Sequence, residues 1–154
     1  MPKALDLDET DWALLRELQA HARITLSEAS RRVGLTAPAV GERMRRLEES
    51  GVVRGYHAAI DLEKTGRPLL AFIRVRFSGG KYDAFERLVE RSPEILECHH
   101  VTGEDCFIVK AAVATMPDLE RLSSSLAKFG PTATSIVYST TLERRIIDAP
   151  PLSP

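Results

Sequence analysis

The apolar residues of this chain change their period once, and the change falls at Gly51. Before it they recur at helical spacing: Leu14, Leu15 and Leu18, then Ala29 and Val33, then Val40, Met44 and Leu47 at i, i+4 and i+7. After it, short strand-like runs alternate with two helical ones. The two patterns call for two different folded parts.

The first part reads as three helices with their own signals. Asp8 caps the first, whose acids suit the positive end of the helix dipole and whose stripe runs to about His21. Thr25 or Ser27 caps a short second helix that Gly34 ends; Thr36 caps a third that Gly51 stops. Three helices of this length, the third introduced by a short turn, form a helix-turn-helix. The stretch VVRGYHAAI that follows reads as a strand or small wing interrupted by Gly55, giving a winged helix-turn-helix domain over residues 1–60. Residues 61–68, DLEKTGRP, are polar, contain Gly66 and Pro68, and suit a linker.

The second part, residues 69–148, reads as strand 69–77, helix 81–92, strands 95–102 and 106–114, helix 116–129 and strand 134–142. That β-α-β-β-α-β order is the ferredoxin-like sandwich, so the fold class is α+β. If residues 102–105 make a tight turn, Glu97 faces Lys110 and Val101 faces Cys106, which places an opposite-charge pair on one sheet face. Residues 149–154 read as a flexible tail.

Hydrophobic residues make up 44% of the 154, enough for packed cores. The longest apolar run, Leu69 to Ile73, is too short to span a bilayer, and the acidic N-terminus has no signal-peptide core. With only Cys98 and Cys106, no disulfide framework is expected, and a reducing cytoplasm is the expected location.

A net charge of −1 argues at first against a nucleic-acid partner, but its distribution matters more. Residues 23–60 hold seven arginines against four glutamates. Three of those arginines, Arg43, Arg45 and Arg46, lie in the third helix, in TAPAVGERMRRLEESG. With Val40, Met44 and Leu47 facing inward, Pro38, Glu42 and Arg45 project on the opposite side, flanked by Gly41 and Arg46. A helix in the major groove needs such a face, because an arginine can fork to guanine or clamp phosphate. Gly41 inside a helix costs about 1 kcal/mol relative to Ala, offset either by close approach of a DNA backbone or by tight helix packing. The candidate DNA-binding residues are Thr36, Pro38, Gly41, Glu42, Arg43, Arg45 and Arg46. The plainer alternative is a solvated helix face with Arg45 paired to Glu49.

Other chemistry finds less support. Cys98, His99, His100 and Cys106 suggest zinc ligands, but His99 and His100 point to opposite strand faces, and in the proposed register so do Cys98 and Cys106. No metal or cofactor is expected. A Cys106–His99 nucleophile is conceivable, yet there is no phosphate-binding glycine loop, zinc-protease pair or nucleophile elbow, and the chain is not expected to be an enzyme. The rival to a DNA-binding function is a ferredoxin-like small-molecule module or enzyme without DNA binding.

The stretch LDETDWALLRELQAHARITLSEASRRVGLTAPAVGERMRRLEESGVVRGYHAAID resembles the N-terminal half of the Lrp/AsnC, or feast/famine, regulators. The following half, centred on LECHHVTGEDCFIVKAAV, is similar to their amino-acid-sensing domain, so that the resemblance runs to about Asp148. It implies a transcription regulator that binds double-stranded operator DNA through the winged helix-turn-helix and forms homodimers and larger assemblies through the sandwich. It also implies an amino-acid effector at the loop between the middle strands: Val101, Thr102, Gly103, Glu104, Asp105 and Cys106. In the family pattern an aspartate commonly stands three residues after the glycine; here Asp105 stands two after Gly103, and Cys106 takes the third position. Exposed N–H groups around Gly103 suit the effector's carboxylate, and an acid suits its ammonium.

Overall fold

A computed structural model describes residues 6–77, 79–80, 82–104 and 106–150. The chain divides into two units, one running to Ala59 and rejoined by the segment from Leu142 on, the other Ile60–Thr141.

The first unit holds α1 (Glu9–Ala20), α2 (Leu26–Val33) and α3 (Ala37–Glu49). Asp8 opens α1 in a capping box: the Asp11 N–H donates to its carboxylate at 2.7 Å, and its own N–H donates to Asp11 at 3.2 Å. Thr25, rather than Ser27, caps α2, and Gly34 ends it with φ 70°, a left-handed conformation that favours glycine. Thr36 caps α3, and Pro38 sits in its first turn, where a missing N–H costs nothing. Leu14, Leu15, Leu18, Ala29, Val40 and Leu47 make the core; Met44 is half-buried at its rim with Trp12, Ile24, Val33 and Val53. Burial of each large aliphatic there is worth roughly 1.5–3 kcal/mol.

The expected wing is not a strand. Residues 52–60 have no ladder partner among the described residues, and a strand exists only through its neighbour's hydrogen bonds. Instead the Val53 N–H returns to the Leu47 carbonyl at 3.0 Å, and the Tyr56 hydroxyl donates to Glu48 at 2.8 Å, so α3 holds the stretch beside itself.

The second unit is built from β1 (Leu69–Val75), α4 (Tyr82–Arg91), β2 (Ile95–His100), β3 (Phe107–Val113), α5 (Met116–Ala127) and β4 (Thr132–Ile136). The sheet order is β2-β3-β1-β4, every neighbouring pair antiparallel. Ala71, Ile73 and Val75 of β1 and Phe107, Val109, Ala111 and Val113 of β3 face Phe85 of α4 and Leu119, Leu122 and Leu126 of α5 in one core. Both helices therefore cover one sheet face, as the ferredoxin-like reading requires. Glu97 does face Lys110, with a Lys110 Nζ to Glu97 distance of 2.8 Å, and a bulge between Ile95 and Glu97 adjusts the far end of the pair.

Several element ends fall a residue or two inside those read in the sequence, and two boundaries differ by more. The last strand starts two residues earlier and stops at Ile136 instead of 142. Ala71 pairs with Ile136 and the Val137 N–H reaches the Leu70 carbonyl; because β1 begins at Leu69, there is no ladder left to extend. The segment from Leu142 then belongs with the helical unit, not with the sandwich. There the Gln19 side-chain amide donates to the Ile147 carbonyl and accepts from the Ile147 N–H, both at 2.9 Å, while Arg16 pairs with Asp148 at 2.7 Å. Residues 61–67 are also more than a spacer: Arg67 N–H bonds back to the Leu62 carbonyl and the Arg67 guanidinium to the Pro93 carbonyl.

Candidate DNA interface and effector loop

The three arginines of α3 point two ways. Arg43 donates to Asp8 and Asp11, each at 2.7 Å, and Arg46 also pairs with Asp11. Asp11 is fully buried, so its carboxylate is a fixed anchor for both guanidinium groups. The Asp11 N–H first, and the Arg43 guanidinium second, hold the Asp8 carboxyl below the usual carboxylate range. Arg45 stands apart, 58% exposed, with its guanidinium 2.5 Å from Glu42 and 3.0 Å from Glu49. Glu42 in turn is held below its ordinary value by the hydrogen bond from Arg45.

Thr36, Pro38, Glu42, Arg45 and Arg46 are exposed, while Gly41 and Arg43 are partly covered. Pro38, Glu42 and Arg45 thus share an outward face, as their spacing indicated, whereas Arg43 is committed to the α1 acids. A Cβ on Gly41 meets only the Leu26 side chain, at an ordinary contact distance of 3.7 Å. Tight helix packing therefore does not explain this glycine.

At the hairpin between β2 and β3 the Val101 N–H donates to the Cys106 carbonyl at 2.8 Å, which brackets the loop. Thr102, Gly103 and Glu104 are exposed and Gly103 has φ 113°, a region that favours glycine. Asp105 lies outside the described residues. Arg76, at the end of β1, reaches the loop and pairs with Glu104 at 3.0 Å. Nothing local in the sequence links Arg76 to this loop; the adjacency of the β1 end and the loop brings them together.

These two sites are arranged on two recognisable modules. The AsnC-type helix-turn-helix domain matches residues 7–48, and the Lrp/AsnC ligand binding domain matches residues 70–147. The chain belongs to the Lrp/AsnC family. Among curated relatives of this Lrp/AsnC protein, the HTH-type transcriptional regulator LrpA of Mycobacterium tuberculosis is 40% identical over 117 residues, covering 75% of this chain and 78% of that one. A transcriptional regulator of Neisseria meningitidis, solved as an L-methionine complex, superposes with TM-score 0.83 at 31% identity, over 94% of this chain and 97% of that one. A feast or famine regulatory protein of M. tuberculosis, also complexed with L-methionine, gives TM-score 0.83 at 35% identity, over 92% of this chain and all of that one. The chain is an HTH-type transcriptional regulator whose second domain is of the ligand-binding type.

The two cysteines of this Lrp/AsnC chain and its two adjacent strand histidines make packing, ring and polar contacts. Cys98 and Cys106 both pack against the sandwich core, contrary to the opposed faces expected, because Cys106 lies before β3 and escapes its alternation. Cys106 gives its hydrogen to the Phe77 carbonyl, and burial pushes the Cys98 thiol up. His99 meets Glu97 at 3.3 Å, and His100 stacks on Phe107 with ring centroids 4.6 Å apart. No cluster of three or more His, Cys, Asp or Glu able to hold a metal occurs among the described residues. None of the described helices is long and apolar enough to cross a membrane.

Proposed function

We propose that this regulator contacts double-stranded DNA through the outward face of α3, with Arg45 as its principal base or phosphate contact and Pro38, Gly41 and Glu42 beside it. One observation carries this reading: Arg45 is exposed on a capped helix whose other two arginines are locked onto a buried aspartate of α1. Thr36 fixes the start of the helix, and Arg43 and Arg46 fix its attachment, so their contribution to binding is chiefly through placement. The protein works in the cytoplasm, as a homodimer or larger homo-oligomer, and has no catalytic function.

An amino acid is the proposed effector, at Val101, Thr102, Gly103, Glu104, Asp105 and Cys106. The exposed backbone around Gly103 supports an α-carboxylate, and the acids of the loop support the ammonium. The L-methionine complexes of the two structural relatives favour the same class.

Selection of genomic fragments with purified protein, with and without an amino-acid pool, tests both parts. Arg45→Ala should weaken binding to the selected fragments by about 1–3 kcal/mol. Wild-type affinity in that variant, shown to be folded, rules out the α3 contact. For the effector, a thermal shift by one of the twenty amino acids should be lost in Asp105→Ala, since a ligand stabilises only through affinity for the folded state. An equal shift in both proteins removes the loop from the site.

A further inference from the structure

The outward face of α3 is acidic where a DNA-contacting helix is expected to be basic. Arg43 and Arg46 are neutralised by Asp8 and Asp11, which leaves Glu42, Arg45 and Glu49 as the charges beside Pro38. One arginine between two carboxylates gives that face a net negative charge. Both forks of the Arg45 guanidinium are occupied, Nη2 by Glu42 at 2.5 Å and Nη1 by Glu49 at 3.0 Å. A DNA phosphate arriving here has to displace a carboxylate and then lie beside it. Non-specific contact is therefore penalised at the point where specific contact is made.

A carboxylate in the major groove has a restricted set of partners. It accepts hydrogen bonds and cannot donate them, so the exocyclic amines are its targets, cytosine N4 foremost. Glu42 is one turn beyond Pro38, in the N-terminal half of α3, the half that reaches base edges in helix-turn-helix docking. Glu49 is the last residue of the helix and is set back from that end.

We propose that Glu42 is a specificity-determining residue: it repels phosphate, accepts a hydrogen bond from a cytosine amine in the operator, and in doing so releases Arg45 to a neighbouring guanine or phosphate. In the free protein the Glu42–Arg45 pair is the resting state of that reader. This inference rests on the assignment of the α3 face to DNA.

The test is selection from a random duplex pool with full-length wild type, Glu42→Gln and Arg45→Ala, each checked for folding by its melting curve. Wild type should enrich a cytosine at one fixed position of each half-site. Glu42→Gln should lose that cytosine and move toward adenine, which a glutamine amide reads bidentately. Its affinity for a scrambled duplex should rise several-fold with a steeper salt dependence, and the ratio of specific to non-specific binding should fall about tenfold, the scale of one good base contact. Sites and ratios unchanged in Glu42→Gln, or a wild-type site with no fixed cytosine, overturn the inference. If Arg45→Ala alters binding while Glu42→Gln does not, only the role of Glu42 falls; if Arg45→Ala also selects as wild type, the α3 assignment falls with it.

Discussion

Asp11 is the only charged side chain buried among the described residues, and three donors meet it: Arg43, Arg46 and the Asp8 N–H. Removing a carboxylate from water costs several kcal/mol, which these partners must offset. From the sequence, Asp11 was legible only as an acid in a first helical turn. Its capping partner three residues away follows from helix geometry, whereas Arg43, thirty-two residues on, is placed by tertiary packing and has no local signal. Because both arginines keep access to water, Asp11→Ala should cost about 2–3 kcal/mol, and Arg43→Ala about 1 kcal/mol with Arg46 still in place. Chemical denaturation reads both values, and an Asp11→Ala protein as stable as wild type refutes the anchor. Tyr56 gives a pH-dependent counterpart. Burial first, and then the nearby Glu48 carboxylate, push its phenol up to about 12. A raised folded-state value favours the protonated phenol in the fold, so this contribution is fully present below pH 10 and is lost as pH rises toward 12. Absorbance titration should show a phenol whose ionisation lags well beyond pH 10, and Tyr56→Phe should remove the lag. A lag that survives in Tyr56→Phe assigns it elsewhere.

At the scale of elements, the sequence was most legible where a segment's partner is determined by its own periodicity. The three helices end within a residue or two of their capping signals, and the β2–β3 register, with Glu97 opposite Lys110, is the one the assumption of a tight turn gives. It was least legible where an apolar, β-rich run has nothing to pair with. Residues 52–60 and 137–142 have strand composition, but one is tied to α3 and the other runs past the end of β1. Propensity marks what can be a strand; a ladder decides it. The candidate DNA face was visible as Pro38, Glu42 and Arg45 on one side, whereas the diversion of Arg43 to α1 was not. Gly41 separates the demands of α3 as a helix from its demands as a reader. A methyl there fits beside Leu26, so Gly41→Ala should raise stability by about 0.5–1 kcal/mol through the lower entropy of the unfolded chain. If close approach of a DNA backbone is what the glycine permits, the same change should weaken DNA binding. A denaturation midpoint and a DNA titration on one preparation measure the two signs. Lower stability contradicts the open contact, and undiminished affinity leaves the glycine without a role in DNA binding.

For the molecule as a whole, the sheet of the second unit has one face without helices. On it lie Leu70 and Phe72 of β1 and Ile108 of β3, among Arg74, Lys110, Glu97 and His99. Phe72 is 40% exposed on that face although its strand neighbours Ala71 and Ile73 are fully buried on the other. An apolar centre rimmed by paired charges is the composition of an association surface, and a two-fold axis would set each copy's Phe72 and Ile108 against the same patch of the other. Such a dimer also suits DNA with two half-sites, since one α3 can serve each. Alternation along the strands separates the two faces, but that Phe72 stays exposed depends on both helices of this unit packing on the opposite side, which no strand pattern decides. Light scattering of the full chain, at concentrations of about tens of micromolar where ordinary interfaces are occupied, should give at least twice the 17.1 kDa chain mass. Phe72→Glu places a charge at the centre of the patch without touching the helix-covered core, so it should shift the protein to monomer while the circular dichroism of the fold persists. A wild-type monomer at those concentrations removes the dimer from this reading. A Phe72→Glu protein that dimerises as tightly as wild type moves the interface to another surface.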